Sequence, residues 1–171
     1  MLIAAVHSSE PGRLDAVMSE VAETLLSQGL RLAGVVQTNC VNPDRHKCDM
    51  DVRVLPDGPL IRISQDLGTA SRGCRLDPAA LEEAVALVGP RLAAGADLLI
   101  LNKFGKHEAD GHGFRDLIAE ALAAGVPVLT GINGLNRPAF EAFTDGMAEV
   151  LPANPSALLA WVRAARLSKV A

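Results

Sequence analysis

The sequence predicts a three-layer α/β domain, a mostly parallel sheet with helices on both faces, and three observations carry that expectation. Short apolar runs at residues 2–6, 32–36, 97–102 and 126–132 read as buried strands. They alternate with stretches whose apolar residues recur at helical spacing. Apolar residues make up 49% of the 171-residue chain and aromatics only 3%, so burial falls to Ala, Leu and Val packed between layers. A chain of this length is expected to form one domain over residues 1–171.

The run at 2–6 is followed by Ser-Ser-Glu-Pro-Gly, which favours a strand entering a turn over a helix. From Gly12 onward, Leu14, Val17, Met18, Val21 and Leu25 form a helical stripe that Gln28-Gly29 stops. Residues 32–36 read as the second strand and the polar stretch 38–47 as a loop. Segments 52–55 and 60–63 flank Pro56-Asp57-Gly58-Pro59 and read as a β-hairpin inserted into the βα rhythm. Asp77-Pro78 combines an N-cap with a proline at the first helical position, and Leu81, Val85, Val88 and Leu92 continue the stripe, with Gly89-Pro90 as the expected kink. Residues 97–102 give the clearest buried strand, and 103–113 read as a Gly-, Lys- and His-bearing loop. A helix through Phe114, Leu117, Ile118 and Leu122 precedes a strand over 126–132. A short helix from Asn136 to Phe143, a strand over 148–151 and a helix carrying Leu158, Trp161 and Val162 complete the chain.

Net charge is −4 and the basic residues are scattered, which argues against nucleic acid as a partner. The run at 2–6 lacks a basic flank and is shorter than a signal-peptide core, and no apolar stretch reaches the roughly 18 residues of a membrane span, so a cytoplasmic location is expected. Cys40, Cys48 and Cys74 are an odd number, which argues against a structural disulfide framework in the reducing compartment expected. They read either as small hydrophobes or as soft-metal ligands, although tight Cys-x-x-Cys spacing is absent.

Ligands of parallel α/β sheets lie beyond the carboxyl ends of the strands. That points to the turns after the first strand and after 97–102. A phosphate-binding P-loop needs glycines, a lysine for the outer phosphates and a Ser or Thr hydroxyl on magnesium. Setting Gly12-Arg13 against the motif's Gly-Lys leaves His7-Ser8-Ser9-Glu10-Pro11-Gly12-Arg13-Leu14, a degenerate version. Ser8, Ser9, Gly12 and Arg13 are the candidate cradle for a small anionic ligand, since a helix N-terminus offers unpaired N–H groups and positive potential. The other reading is a plain capped turn with Arg13 solvated. Asn102 stands where a magnesium-binding carboxylate is normally found. Lys103 and Lys106 are candidate anion contacts from the opposite loop, and Arg75 is a candidate bidentate contact or a helper of the Asp77 helix entrance. His107, Glu108, Asp110 and His112 read as a proton-transfer or metal cluster, or as a solvated turn.

The segments Leu101-Asn102-Lys103-Phe104-Gly105-Lys106-His107-Glu108, Gly73-Cys74-Arg75-Leu76-Asp77 and Cys48-Asp49-Met50-Asp51 resemble a bacterial family known as domain of unknown function 2478, over nearly the whole chain. The resemblance implies a P-loop nucleoside-triphosphatase-like architecture with a hairpin insertion, and an association with molybdenum-uptake loci. It also implies that Asn102-Lys103 replaces an acidic pair found in nucleotide-hydrolysing relatives, while Gly105, Lys106 and Glu108 remain in step. The leading expectation is a nucleotide- or phosphate-binding protein, its cofactor a nucleoside triphosphate with magnesium and its hydrolysis slow. The alternatives are a non-catalytic binder of molybdate or another oxyanion, and a metal or redox sensor using Cys40, Cys48 and Cys74. Whether the chain forms a homodimer is left open.

Overall fold

The computed structural model describes residues 2–40, 49–65 and 76–167. Its elements run in the order β1 (Ile3–His7), α1 (Arg13–Ser27), β2 (Leu32–Cys40), β3 (Asp49–Val54), β4 (Leu60–Arg62), α2 (Pro78–Ala93), β5 (Leu98–Phe104), α3 (Lys106–Ala109), α4 (Arg115–Ala123), β6 (Val128–Ile132), α5 (Arg137–Phe143), β7 (Glu149–Pro152) and α6 (Pro155–Leu167). All seven strands join one sheet in the order β4-β3-β2-β5-β6-β1-β7. Strands β2, β5, β6, β1 and β7 are parallel, as βαβ crossovers require. The expected hairpin forms the antiparallel edge β2-β3-β4.

Two cores flank the sheet. Val17, Met18, Val21 and Leu25 of α1 and Leu158, Trp161 and Val162 of α6 cover one face. Leu81 and Val88 of α2, Leu117 and Ile118 of α4 and Phe140 of α5 cover the other. Alternation along β5 serves both layers, with Leu98 and Ile100 facing the first and Leu99 and Leu101 the second. Gly34 permits close pairing of β2 with β5: its φ is +122°, and a Cβ there would run into the backbone carbonyl of Ile100. Among the described residues, no helix is long and apolar enough to cross a membrane.

Several boundaries differ from the sequence expectation. Strand β2 does not end at residue 36, because Thr38 pairs with Asp51 and Cys40 with Asp49 on β3. The antiparallel partner supplies ladder bonds to a polar segment whose composition reads as loop. Strand β5 likewise continues to Phe104, which is buried between the rings of Phe140 and Phe143, at centroid distances of 5.2 and 5.7 Å. Only then does the chain turn into the short helix α3. Helix α2 runs through Gly89-Pro90 without a break. Pro90 lies near its end, so the lost N–H bond disturbs little of the helix that follows. Asp77 caps α2 as expected, accepting the N–H groups of Ala79 and Ala80 at 3.0 and 3.2 Å.

Helix α1 leaves β1 on one face towards β2, whereas α5 leaves β6 on the other face towards β7. The chain therefore departs in opposite directions from two adjacent strands, the topological setting in which α/β sheets open a ligand crevice.

Candidate anion site

The β1–α1 connection crosses the carboxyl end of the sheet. Ser9, Glu10, Pro11, Gly12 and Arg13 are exposed and Ser8 is half-buried. The Ser8 hydroxyl accepts the Glu10 N–H at 3.1 Å, and the Arg13 N–H donates to the Glu10 carbonyl at 3.3 Å, so two loop amides are satisfied within the turn. Gly12 has φ of +73°, a left-handed conformation open to glycine, and it carries no side-chain cap. The Ala16 N–H returns to the Gly12 carbonyl at 3.1 Å. The N–H groups ahead of it lie outside the helical ladder, at the positive end of the 15-residue α1. Arg13 is exposed and forms no ion pair among the described residues. Leu14, where a P-loop has its hydroxyl, packs over Gly131 of β6, with Cδ2 2.7 Å from where a Cβ on that glycine would stand.

Facing this loop is the end of β5. Its register against β6 shifts between Leu101 and Phe104, a bulge that re-aims the residues between them. Asn102 is 3% exposed. Its Nδ2 donates to Asp15 Oδ1 at 2.7 Å, and its Oδ1 accepts the Gln37 N–H at 3.0 Å. One side-chain amide thus ties the first turn of α1 to β5 and to β2. Asp15 was not singled out in the sequence. Its signal is an acidic residue two positions after Arg13, on the first turn of a helix that follows a phosphate-loop-like turn.

Lys103 is exposed and lines a cavity of about 70 Å³ with Val52, Ile63, Leu81 and Phe114, side chains of the α2 layer. Lys106 is exposed at the start of α3. Of the sequence candidates, the fold gathers Ser8, Ser9, Gly12, Arg13 and Asn102 at the α1 end of the crevice. Arg75, Cys48 and Cys74 lie outside the described residues. Cys40 closes β2 opposite Asp49, and its side chain lies outside them too. Among the described residues no group of three His, Cys, Asp or Glu side chains is arranged to hold a metal.

The turn after β5 is built by two carboxylates. Glu108, 3% exposed, accepts the N–H of Gly105 at 2.9 Å and of Phe114 at 3.3 Å. Glu82 of α2 takes the Gly113 N–H and His107 Nε2, both at 2.9 Å. Burial pushes the Glu82 carboxyl up, but the Gly113 N–H and the two neighbouring histidines outweigh it and hold the group below its ordinary value. The His107 and His112 rings lie 5.3 Å apart. These contacts close a loop and leave its residues with structural partners.

A mostly parallel sheet with α1 following the turn after β1, and helices on both faces, makes this a three-layer α/β fold. A solved structure of that class superposes with a TM-score of 0.61 at 18% identity, covering 88% of this chain and 87% of its own: the solution structure of a human cancer-related nucleoside triphosphatase. Residues 3–161 match the family model described as protein of unknown function (DUF2478), and the chain belongs to that family. It is also 35% identical over 161 residues to the molybdenum import ATP-binding protein ModC 2 of Bradyrhizobium diazoefficiens. That match takes in 94% of this chain but 18% of the relative, so the relative's name describes a much longer protein.

Proposed function

We propose that this chain is a nucleotide-binding protein whose β1–α1 turn holds phosphates and whose hydrolysis, where it occurs, is slow. The observation that carries the reading is the turn itself: left-handed Gly12, exposed Arg13 and the unladdered amides of α1 open on the crevice at the carboxyl end of the sheet. The fold class and the ATP-binding relative point the same way. Slow turnover follows from the residues at the magnesium position. Leu14 offers no hydroxyl, and Asn102 replaces a carboxylate. An electrostatic contact of this kind is commonly worth about 3 kcal/mol in the transition state, so two losses slow chemistry by roughly 10⁴-fold.

The donor set nonetheless suits a magnesium ion in part. Magnesium is commonly held by one or two carboxylates, with phosphate oxygens and water supplying the rest. Asp15 provides one carboxylate, oriented by Asn102. When bound, the ion would neutralise phosphate charge, while Arg13 and the first-turn amides supply the remaining positive potential.

The relative's name motivates a second reading, binding of molybdate or a similar oxyanion without a nucleotide. Titration calorimetry with ATP, GTP, molybdate and phosphate, each with and without magnesium, separates the two. Arg13→Ala is expected to weaken ATP binding about 10- to 100-fold, the worth of one charge-assisted hydrogen bond. Unchanged affinity in that variant would remove the turn from consideration. Molybdate binding with no response to ATP would select the second reading.

A further inference from the structure

On the sheet face opposite α1, the connection from β6 to the edge strand β7 is made by α5, a helix of only 7 residues. A cavity of about 170 Å³ opens beside it. Ala5 of β1, Ile132 of β6 and Phe140 of α5, all buried, form its floor, and Val150 of β7, 53% exposed, forms a wall. An apolar cavity of about 150 Å³ takes up one benzene-sized ring, so the space suits a single six-membered ring. Few polar groups reach it. His7 lines it because odd-numbered residues of β1 alternate to this face, away from α1. Thr144 is buried and donates its hydroxyl proton to the Phe140 and Glu141 carbonyls, at 3.0 and 3.4 Å. The rim is an ion pair along α5, Arg137 Nε donating to Glu141 Oε1 at 2.7 Å. That contact leaves the Arg137 Nη groups and Glu141 Oε2 without a partner among the described residues. Both side chains are about half exposed, and a surface pair of this kind holds its geometry weakly, so it can adjust to a ligand.

An apolar floor beside a paired donor and acceptor selects a ligand by shape and by polarity. A carboxylate entering here gains Arg137 but meets Glu141, and an ammonium group meets the reverse. A neutral ring with an N–H next to a C=O satisfies both side chains at once. We propose that this cavity is a binding site for a neutral lactam heterocycle of one six-membered ring, its carbonyl accepting from the Arg137 Nη groups and its ring N–H donating to Glu141 Oε2. Burial on Ile132, Phe140 and Val150 holds the ring, and the two charge-assisted hydrogen bonds fix its orientation. A free pyrimidine and the base of a pyrimidine nucleoside present this same edge. The site goes beyond the phosphate-holding reading above: it lies on the α5 face of the sheet and requires no contact with the β1–α1 turn, so the two stand or fall separately.

The test is titration of the wild-type chain, Glu141→Gln, Arg137→Gln and Ala148→Phe with uracil, uridine and benzoate, followed by amide chemical shifts and calorimetry. Uracil should bind the wild type with a Kd of about 1 mM or tighter, and benzoate at least about fivefold more weakly. The shifts should centre on Gly146, Ala148 and Val150, which line the cavity. Glu141→Gln removes one charge from an exposed side chain. Uracil should then weaken about fivefold while benzoate tightens about fivefold, reversing the preference. Arg137→Gln should weaken both by about tenfold. Ala148→Phe fills the cavity and should abolish both; thermal melts check its fold, and the two exposed variants decide the matter if it does not fold. Uridine binding with the same shifts would support the site and assign it the base of a nucleoside, whereas uracil binding with uridine excluded would support it as a site for a free ring. Benzoate binding the wild type as tightly as uracil would overturn the proposal, as would an unchanged order of affinities in Glu141→Gln. Uracil shifts centred on Ser8 to Arg13, or no shifts with any probe, would overturn it too, and neither result bears on whether ATP is held at the turn.

Discussion

At the scale of single residues, buried polar side chains organise the loops around the crevice. Glu108 is the clearest case: a carboxylate 3% exposed, with Gly105 and Phe114 donating to its two oxygens. Leaving two buried amides unpaired costs about 1–3 kcal/mol each, so Glu108→Ala should lose about 3 kcal/mol of stability. Glu108→Gln, which retains one acceptor oxygen, should lose roughly half of that, as read by urea denaturation. A smaller loss than that in Glu108→Ala, within about 0.5 kcal/mol of wild type, would show that the loop finds other acceptors. Asn102 performs a similar service with both polarities, donating to Asp15 and accepting from Gln37, where Glu108 only accepts. The sequence marks Asn102 because it ends an apolar run. It does not reveal that the amide's two ends are spent on Asp15 and Gln37, residues distant in sequence.

At the scale of elements, strand starts are clamped as firmly as strand ends are opened. Asp97, just before β5, takes the Arg31 backbone N–H at 2.9 Å and the Arg31 guanidinium at 3.0 Å, joining the entrances of β2 and β5. The Arg31 side chain, against some opposition from burial, holds the Asp97 carboxyl below the usual carboxylate range. A carboxyl whose pKa is lower folded than unfolded stabilises above its unfolded value and loses that contribution as pH falls through the folded one. Asp97→Asn should therefore be less stable than wild type at pH 7, by about 1 kcal/mol given how exposed Arg31 is, or roughly 2–4 °C in Tm. The gap should narrow below about pH 4, where the wild-type carboxyl takes up its proton. A gap constant from pH 7 to pH 3 would mean that packing rather than charge holds the two strands together. Helix α2 shows how the sequence and the fold agree at this scale, since Asp77-Pro78 opens it and Asp77 accepts two amides. The extension of β2 to Cys40 and of β5 to Phe104 shows where they part. Each extra residue is held by a neighbour, β3 in one case and the rings of α5 in the other.

At the scale of the molecule, one seven-stranded sheet separates two cores that share no side chains but are both rooted in β5. We expect these layers to unfold together. Trp161 is the one tryptophan, 7% exposed in the α1/α6 layer, so its fluorescence reports that layer alone, while far-UV ellipticity reports all the helices. Coincident urea transitions by the two probes would support a single cooperative unit over residues 1–171. A fluorescence transition that precedes the loss of ellipticity would show that the α1/α6 layer, and the β1–α1 turn with it, opens independently.

The succession of strands and helices along the chain, apart from the short α3, was legible in the sequence, as were the hairpin, the Asp77 cap and the turn at Gly12, because periodicity, caps and turn residues act over a few positions. The glycine-bearing turn ahead of α1 and the amide near the end of β5 were legible for the same reason. Tertiary structure alone decided how far β2 and β5 extend, that Lys103 lines a cavity with Leu81 and Phe114, and that Glu108 closes a turn. It alone decided that Asp15 meets Asn102, a contact between residues 87 positions apart. That meeting depends on the strand order, which puts β5 beneath α1, and on a one-residue bulge in β5. No local pattern encodes either one, since both arise from how separate elements pack.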